Sequence, residues 1–363
     1  MSGIKIFIKM GVDVVIGGQG GDEGKGKISS YLSLKNNYDI CMRVSAPQAG
    51  HSVYFNGGRL GIALLPCGFV NKKSRLLLGS GALISLEKLL NEINFLKISE
   101  ERLGIDGKAT IVTENHVKEE LSNSHLMSTI GSVGKGISSC RRDKIMRKED
   151  LVFAKDVEEL SNYITNTKKE VYSVLEKKGN VLLESDHGAK LDLIHGEYPY
   201  VTSKSTNASS VLGEAGIGPR EVRDVYAVFK PYVTRVGPGP LEEEIFDEEA
   251  LHWAHNLGGE RGTVSKRKRR LGKFEWDKAL EVIKMNSATK LAFSHMDCFK
   301  HIGNYLGYNK SKDFLADVEK KLCSRYPYPK ISLLSYGPRT LSLIHISEPT
   351  RPLYISYAVF CLK

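Results

Sequence analysis

Eleven residues near the start of the chain, Gly17-Gly18-Gln19-Gly20-Gly21-Asp22-Glu23-Gly24-Lys25-Gly26-Lys27, hold six glycines and follow the apolar run Val12 to Ile16. Glycine has no side chain to bury, so this stretch cannot pack a core. It offers bare backbone N–H groups and freedom to take positive φ. Ile28-Ser29-Ser30-Tyr31-Leu32 then reads as a helix start. A strand, a glycine-rich loop and a helix N-terminus form an arrangement that receives phosphate, and Lys25 and Lys27 add positive charge. Asp22 and Glu23 stand inside this anion site, where a carboxylate repels phosphate unless it holds Mg²⁺ or moves a proton. Gly21 to Lys27 fits G-x-x-x-x-G-K, but Ile28 occupies the place where a Walker loop needs Ser or Thr for its metal, so this is not a standard P-loop.

The spacing of the other apolar runs places the loop in an α/β fold. Val12–Ile16, Arg75–Leu78, Ala109–Val112, Val181–Glu184, Val225–Phe229, Leu291–Phe293 and Ile331–Leu334 read as buried strands. Helical patterns lie between them: Leu86, Leu89, Leu90, Ile93 and Leu96 share a face, Asp156 with Glu159 suggests a capping box opening a helix that runs to Gly179, and Phe314, Leu315, Val318 and Leu322 mark another helix. The alternation predicts a central, largely parallel sheet flanked by helices. Ligands then bind at the carboxyl ends of the strands.

The 363 residues suffice for a large core. No apolar run reaches the roughly 18 residues a membrane span needs. Ile4 to Ile8 is too short for the core of a signal peptide, and residues 1–9 read as a false start or a frayed extension before Met10. Six scattered cysteines, with no CxxC and no zinc spacing, suit a reduced, cytoplasmic protein. His252-x-x-His255 could place two ligands on one helix face, but no third lies nearby, and a surface helix is the simpler reading. Of the net charge of +10, Lys266-Arg267-Lys268-Arg269-Arg270 supplies half. Such a run is a solvated face, a targeting signal, a nucleic-acid patch or a small-anion site. No aromatic residues interleave with it, which weakens a single-strand platform. Ser342 to Pro352 resembles a translated sequencing-library adapter. Residues 341–363 are therefore read as an artefactual tail that replaces the native C-terminus, and 10–340 as one domain.

Further loops add chemistry. Pro47-Gln48-Ala49-Gly50-His51-Ser52 carries a histidine after small residues. Gly131-Ser132-Val133-Gly134-Lys135-Gly136 is a second glycine-rich turn. Tyr198-Pro199-Tyr200-Val201-Thr202-Ser203 is stiff and rich in hydroxyls, and Thr234-Arg235-Val236-Gly237-Pro238-Gly239-Pro240 is a rigid turn with one arginine. Taken in order with Gly21 to Lys27 and Ser335-Tyr336-Gly337-Pro338, these segments make the chain resemble the adenylosuccinate synthetase family in its compact archaeal form, from about Val12 to Arg339.

The resemblance implies GTP-dependent ligation of L-aspartate to IMP through a 6-phosphoryl intermediate, on an α/β domain with a loop-rich substrate subdomain. It implies that Asp22 takes the purine N1 proton and, with the Gly50 carbonyl, binds Mg²⁺, while His51 donates to the transferring phosphoryl group. GTP would meet Gly21, Glu23, Gly24, Lys25, Gly26, Lys27, Gly50, Ser52, Arg269, Asp297, Ser335 and Gly337, with Asp297 reading guanine. IMP would meet Gln48, Val133, Arg147, His187, Thr202, Val236 and Arg267, with Arg147 reaching across a homodimer into the partner's site. Aspartate would meet Thr263, Val264, Ser265 and Arg267, whose guanidinium suits paired carboxylates. No membrane is involved, and nucleic acid is not the expected partner.

The chain also departs from that family. Ser45-Ala46-Pro47-Gln48 replaces a Gly-Gly pair and Asn, and is one residue shorter. Ser132-Val133-Gly134 replaces Thr-Thr-Gly, Glu184-Ser185-Asp186-His187-Gly188 replaces Glu-Gly-x-Gln-Gly, and Ser265-Lys266-Arg267 replaces Thr-Gly-Arg. These changes gather at the purine monophosphate and aspartate. They keep open a related reaction on dGMP, with GTP or ATP, as carried out by phage members of the family. A GTP-binding switch or a nucleic-acid-binding protein remains the alternative of another class.

Overall fold

The structure is a computed structural model that describes residues 11–262, 266–337, 339 and 343–345. Ten strands form one sheet, in the spatial order Leu343–His345, Lys330–Ser335, Lys290–Phe293, Val222–Phe229, Gly11–Gly17, Asn180–Glu184, Ile40–Arg43, Arg75–Leu78, Leu103–Asp106 and Ile164–Thr165. Every pairing is parallel except the antiparallel edge strand Leu343–His345. The expected fold class is thus the one observed.

Gly11–Gly17 lies at the centre and is buried along its whole length. Val12, Val14 and Ile16 pack into one apolar layer and Val15 into the other. Helices Lys25–Asn36 and Leu86–Leu96 cover one face through Ile28, Leu32, Leu89 and Ile93. Helices Thr167–Glu176, Ala208–Ala215, Trp276–Met285 and Ser311–Val318 cover the other through Val171, Val211, Ile283 and Phe314. A sheet sealed on both faces reads as continuous apolar runs, which is why its strands were legible. No helix among the described residues is long and apolar enough to cross a membrane.

Two expectations need correction. Ala109–Val112 is not a strand of the main sheet: only Thr110–Ile111 is extended, and it pairs with Leu83–Ile84 in a separate two-stranded piece. The helix expected from Asp156 to Gly179 is interrupted. Asp156 closes a box with the Phe153 N–H at 3.1 Å, Ile164–Thr165 then pairs with Ile105 and Asp106 at the sheet edge, and the α-helix opens at Thr167, capped by Asn166 accepting from the Lys169 N–H at 3.0 Å. A β-branched pair beside an open sheet edge outweighs continuation of the helix. Leu343–His345, read as tail, pairs with Leu333 to Ser335; an unpaired edge recruits an extended segment readily. The expected false start at residues 1–9, and residues 346–363 of the expected tail, lie outside the described residues.

Five of the cysteines are free thiols, four of them buried. His252 and His255 lie on helix Glu248–Asn256, as expected of a surface helix. His255 Nε2 bonds the Arg269 carbonyl at 2.7 Å, and His252 Nδ1 faces Asn256 at 3.2 Å.

Candidate active site

The carboxyl ends of six parallel strands deliver their loops to one cavity of about 480 Å³. Gly11–Gly17 feeds the glycine loop, Ile40–Arg43 feeds Gln48 to His51, and Asn180–Glu184 feeds His187. Val222–Phe229 leads to Arg235 and Val236, Lys290–Phe293 to His295 and Asp297, and Lys330–Ser335 to Gly337. The antiparallel hairpin His51–Phe55/Gly58–Ile62 and the small sheet of Val233–Arg235, Arg270–Gly272 and Glu244–Ile245 wall it in.

The glycine loop ends at Gly24, in the left-handed region at φ 91, where it opens helix Lys25–Asn36. At Gly26 an added Cβ would lie 2.8 Å from the His51 Cβ. Glycine there lets the first helical turn approach the histidine. Asp22 also takes a left-handed φ of 67. Its carboxylate lines the cavity, partly exposed, and meets Arg269 Nη2 at 2.7 Å. Arg269 is itself clamped from behind by Glu260. Glu260 is fully buried and also meets Lys230 Nζ at 2.9 Å and the Tyr232 hydroxyl at 2.6 Å. Burial works against that charge, but Lys230 and Arg269 hold the carboxyl far below its ordinary range.

Glu23 does not line the cavity, contrary to the expectation of a GTP contact. Its buried carboxylate accepts from the Gln19 and Gly21 N–H groups at 3.0 and 2.9 Å and pairs with Lys25 Nζ at 2.8 Å. It therefore shapes the loop from behind. Lys27 lines the cavity but bonds Ser335 Oγ and the Gly337 carbonyl, tying the helix start to the end of Lys330–Ser335. Burial pushes its ammonium down to about 8.

His51 is buried, and its Nδ1 meets Glu184, the last residue of its strand. Glu184 also accepts from the Cys67 N–H at 2.9 Å and lies 3.8 Å from Arg43 Nε. Burial opposes the Glu184 charge, but Arg43 and His51 carry its pKa down to about 2. The imidazole is pushed down to about 4, first by burial and then by Arg43. An ionised Glu184 assigns the ring proton to Nδ1, leaving a lone pair on Nε2. Nε2 is buried without a hydrogen-bond partner among the described residues. The expected proton donor is thus an acceptor until it gains a second proton.

The remaining expected residues divide. Gly21, Gly24, Lys25, Gly26, Gln48, Gly50, Ser52, Val133, His187, Thr202, Val236, Arg269, Asp297, Ser335 and Gly337 all line the cavity. Arg267 does not; it is exposed at the rim, donating to the Gly131 carbonyl at 3.1 Å. Arg147 is exposed and distant from this chain's cavity lining, beside Ile145 and Met146, which are 74% and 67% exposed. Thr263, Val264 and Ser265 lie outside the described residues. Sequence reasoning missed Glu184, Glu260, Arg59, Lys135 and His295. Glu260 could have been found as the counter-charge just before the basic run. Arg59 lies on the hairpin strand Gly58–Ile62 and Lys135 in the second glycine-rich turn, and both line the cavity. The cationic lining (Lys25, Lys27, Arg59, Lys135, Arg235, Arg269) outweighs Asp22, Glu120 and Asp297, which suits anionic ligands.

Comparison with known proteins adds sequence and fold relatives. The family model for adenylosuccinate synthetase matches residues 14–152 and 151–312. An adenylosuccinate synthetase of Methanococcus maripaludis (strain C5) is 42% identical over 344 residues, covering 92% of this chain and 99% of the relative. One from Thermococcus sibiricus is 38% identical over 344 residues, covering 92% and 98%. Among solved structures, the fully ligated adenylosuccinate synthetase from Plasmodium falciparum superposes with a TM-score of 0.83 at 23% identity, covering 93% of this chain and all of the other. The succinoaminodeoxyadenylate synthetase of cyanophage S-2L, solved with dGMP and with dATP as an energy donor, has a TM-score of 0.78 at 22% identity, covering 93% and 95%. At these identities the two structures speak to fold alone.

Proposed function

Because the chain belongs to the adenylosuccinate synthetase family, we propose that it joins L-aspartate to IMP at the expense of GTP, giving adenylosuccinate, GDP and phosphate. The observation that carries this reading is the placement of one carboxylate, Asp22, on the wall of a cation-lined cavity at the mouth of a glycine loop and helix N-terminus.

The chemistry follows from what hypoxanthine lacks. Its C6 oxygen is a poor leaving group. Loss of the N1 proton to Asp22 turns O6 into a nucleophile. O6 attacks the γ-phosphorus of GTP, the bond to the β-phosphate oxygen breaks, and GDP leaves. The aspartate amine then adds at C6, the 6-phosphoryl group departs as inorganic phosphate, and the amine gives up a proton. Arg269, clamped by Glu260, holds the Asp22 carboxylate in place. Triphosphate oxygens near His51 Nε2 favour the imidazolium, so this histidine gains its second proton with the nucleotide and can then donate to the transferring phosphoryl group.

A carboxylate and a backbone carbonyl beside substrate phosphates are ligands that Mg²⁺ accepts. Asp22 and Gly50, both on the cavity wall, would hold it, and it would supply charge neutralisation at the β- and γ-phosphates. Asp297, near Lys27 and the end of Lys330–Ser335, would read guanine. Arg267 would meet the aspartate carboxylates from the rim. Exposed Arg147, set among the apolar Ile145 and Met146, supports a homodimer in which it serves the partner's site. A reduced, cytoplasmic setting agrees with the free thiols.

The assay supplies purified protein with aspartate, Mg²⁺, GTP or ATP, and either IMP or dGMP. Turnover of IMP with GTP is expected. Turnover of dGMP alone would replace this reading with the phage-type reaction, and nucleotide hydrolysis without need of aspartate would replace it with a switch protein.

A further inference from the structure

Directly after strand Asn180–Glu184 come Ser185, Asp186 and His187. Asp186 is fully buried, with one carboxylate oxygen 2.9 Å from Lys204 Nζ and the other 3.4 Å from His187 Nδ1. Lys204 is shared with Glu214 at 2.7 Å and with the Val44 carbonyl at 3.0 Å. Burial penalises the Asp186 charge, but Lys204 and then His187 hold the carboxyl well below its ordinary range. It is an ionised acceptor. Neither of its oxygens, nor His187 Nδ1, completes a well-aligned hydrogen bond among the described residues. His187 sits at φ 56 in the left-handed region and lines the cavity, with Nε2 3.5 Å from Thr202 Oγ1.

These facts fix the ring's chemistry. A buried, acceptor-only carboxylate beside Nδ1 tolerates the tautomer that carries its proton there. The lone pair then sits on Nε2, toward Thr202 and the cavity. An amide, which the resemblance leads one to expect at this position, can donate or accept by rotating. A ring protonated at Nδ1 alone offers the cavity a lone pair only.

We propose that Asp186 is a positioning residue acting through His187, holding the ring beside Thr202 so that it presents an acceptor to a donor of the purine monophosphate other than the N1–H that Asp22 takes. The identity of the ligand rests on the function proposed above; the tautomer does not. The geometry leaves Lys204 ion-paired with Glu214 when Asp186 is neutralised, so Asp186→Asn exchanges the acceptor-only group for an amide that can turn either end to the ring, without stranding the lysine.

Two measurements test it. In ¹⁵N-histidine spectra, with His187→Gln assigning the resonance, His187 of the unaltered protein is expected to be protonated at Nδ1, and Asp186→Asn to abolish that preference. In equilibrium titrations with IMP, Asp186→Asn is expected to weaken binding about tenfold in the unaltered background and less than twofold in the His187→Gln background. GTP affinity and melting temperature should stay close to those of the parent. An Nε2-protonated ring, or an equal loss of IMP affinity in both backgrounds, overturns the proposal and makes Asp186 a packing partner of Lys204. If the unaltered protein neither binds nor turns over IMP, the proposed function fails, while the tautomer result still decides the Asp186–His187 pairing.

Discussion

The two walls of the cavity are built differently. On the triphosphate side every charged group is braced by a buried partner: Glu23 with Lys25, Glu184 with His51, Glu260 with Arg269 and through it Asp22. On the purine monophosphate side the groups that meet the cavity are half-buried or exposed: Val133, His187 with Thr202 at 3.5 Å, and Arg267 at the rim on the Gly131 carbonyl, while the buried Asp186 and Lys204 lie behind them. Buried, interlocked charges are costly to alter singly, because removing one strands another. Surface loops tolerate exchange. The departures from the family pattern fall on both kinds of position: half-buried Val133 and exposed Lys266, but also buried Ser45, Ala46, Ser185 and Asp186.

The largest expected effect would break the braced wall at its working group. Asp22→Asn should lower kcat about 10³-fold while GTP binding persists, read by steady-state kinetics beside nucleotide titration; unchanged turnover would remove Asp22 as the base. Glu184→Gln comes next. Without an acceptor-only partner, His51 loses its tautomer, and Arg43 is left without its counter-charge. The amide can still accept from Nδ1, so the loss is of the fixed tautomer and the buried charge; about 100-fold in kcat and about 3 kcal/mol of stability in urea are expected.

Acid should weaken the same wall. The His51 pKa falls from 6.5 to about 4 on folding, so the unfolded chain binds its proton first. The associated stability is intact above pH 6.5, declines as pH falls below it, and is lost through about 4. Melting curves from pH 7 to 4.5 should show the decline, and His51→Asn should flatten it. The smallest effect sharpens the contrast from the loose side: Val133→Thr restores a hydroxyl and should lower KM for IMP a few-fold, leaving KM for GTP alone. An equal change in both constants would mean that the two walls are not separate.

The same contrast explains what the sequence disclosed. Strands such as Val225–Phe229, and the glycine loop, announce themselves because sealed sheets and phosphate-binding turns each need a local composition. Glu184 and Glu260 were missed as functional groups because their roles depend on partners far along the chain: His51 lies 133 positions from Glu184 and Lys230 lies 30 from Glu260. Glu23 was misread for the opposite reason. Its neighbours in sequence all face the cavity, while the turn at Asp22 sends its side chain inward. Ile40–Arg43 and Leu103–Asp106 were not read as strands.

The tie from Lys27 to Ser335 and Gly337 spans 308 and 310 positions. A ribosome emitting this protein exposes the glycine loop and its acids long before the strand that closes them off has been made. The nascent chain therefore carries half a nucleotide pocket through most of its synthesis, and only near completion can a triphosphate find both of its sides. Until Ser335 and Gly337 have been made, Lys27 lacks the partners that fix it at the mouth of the glycine loop.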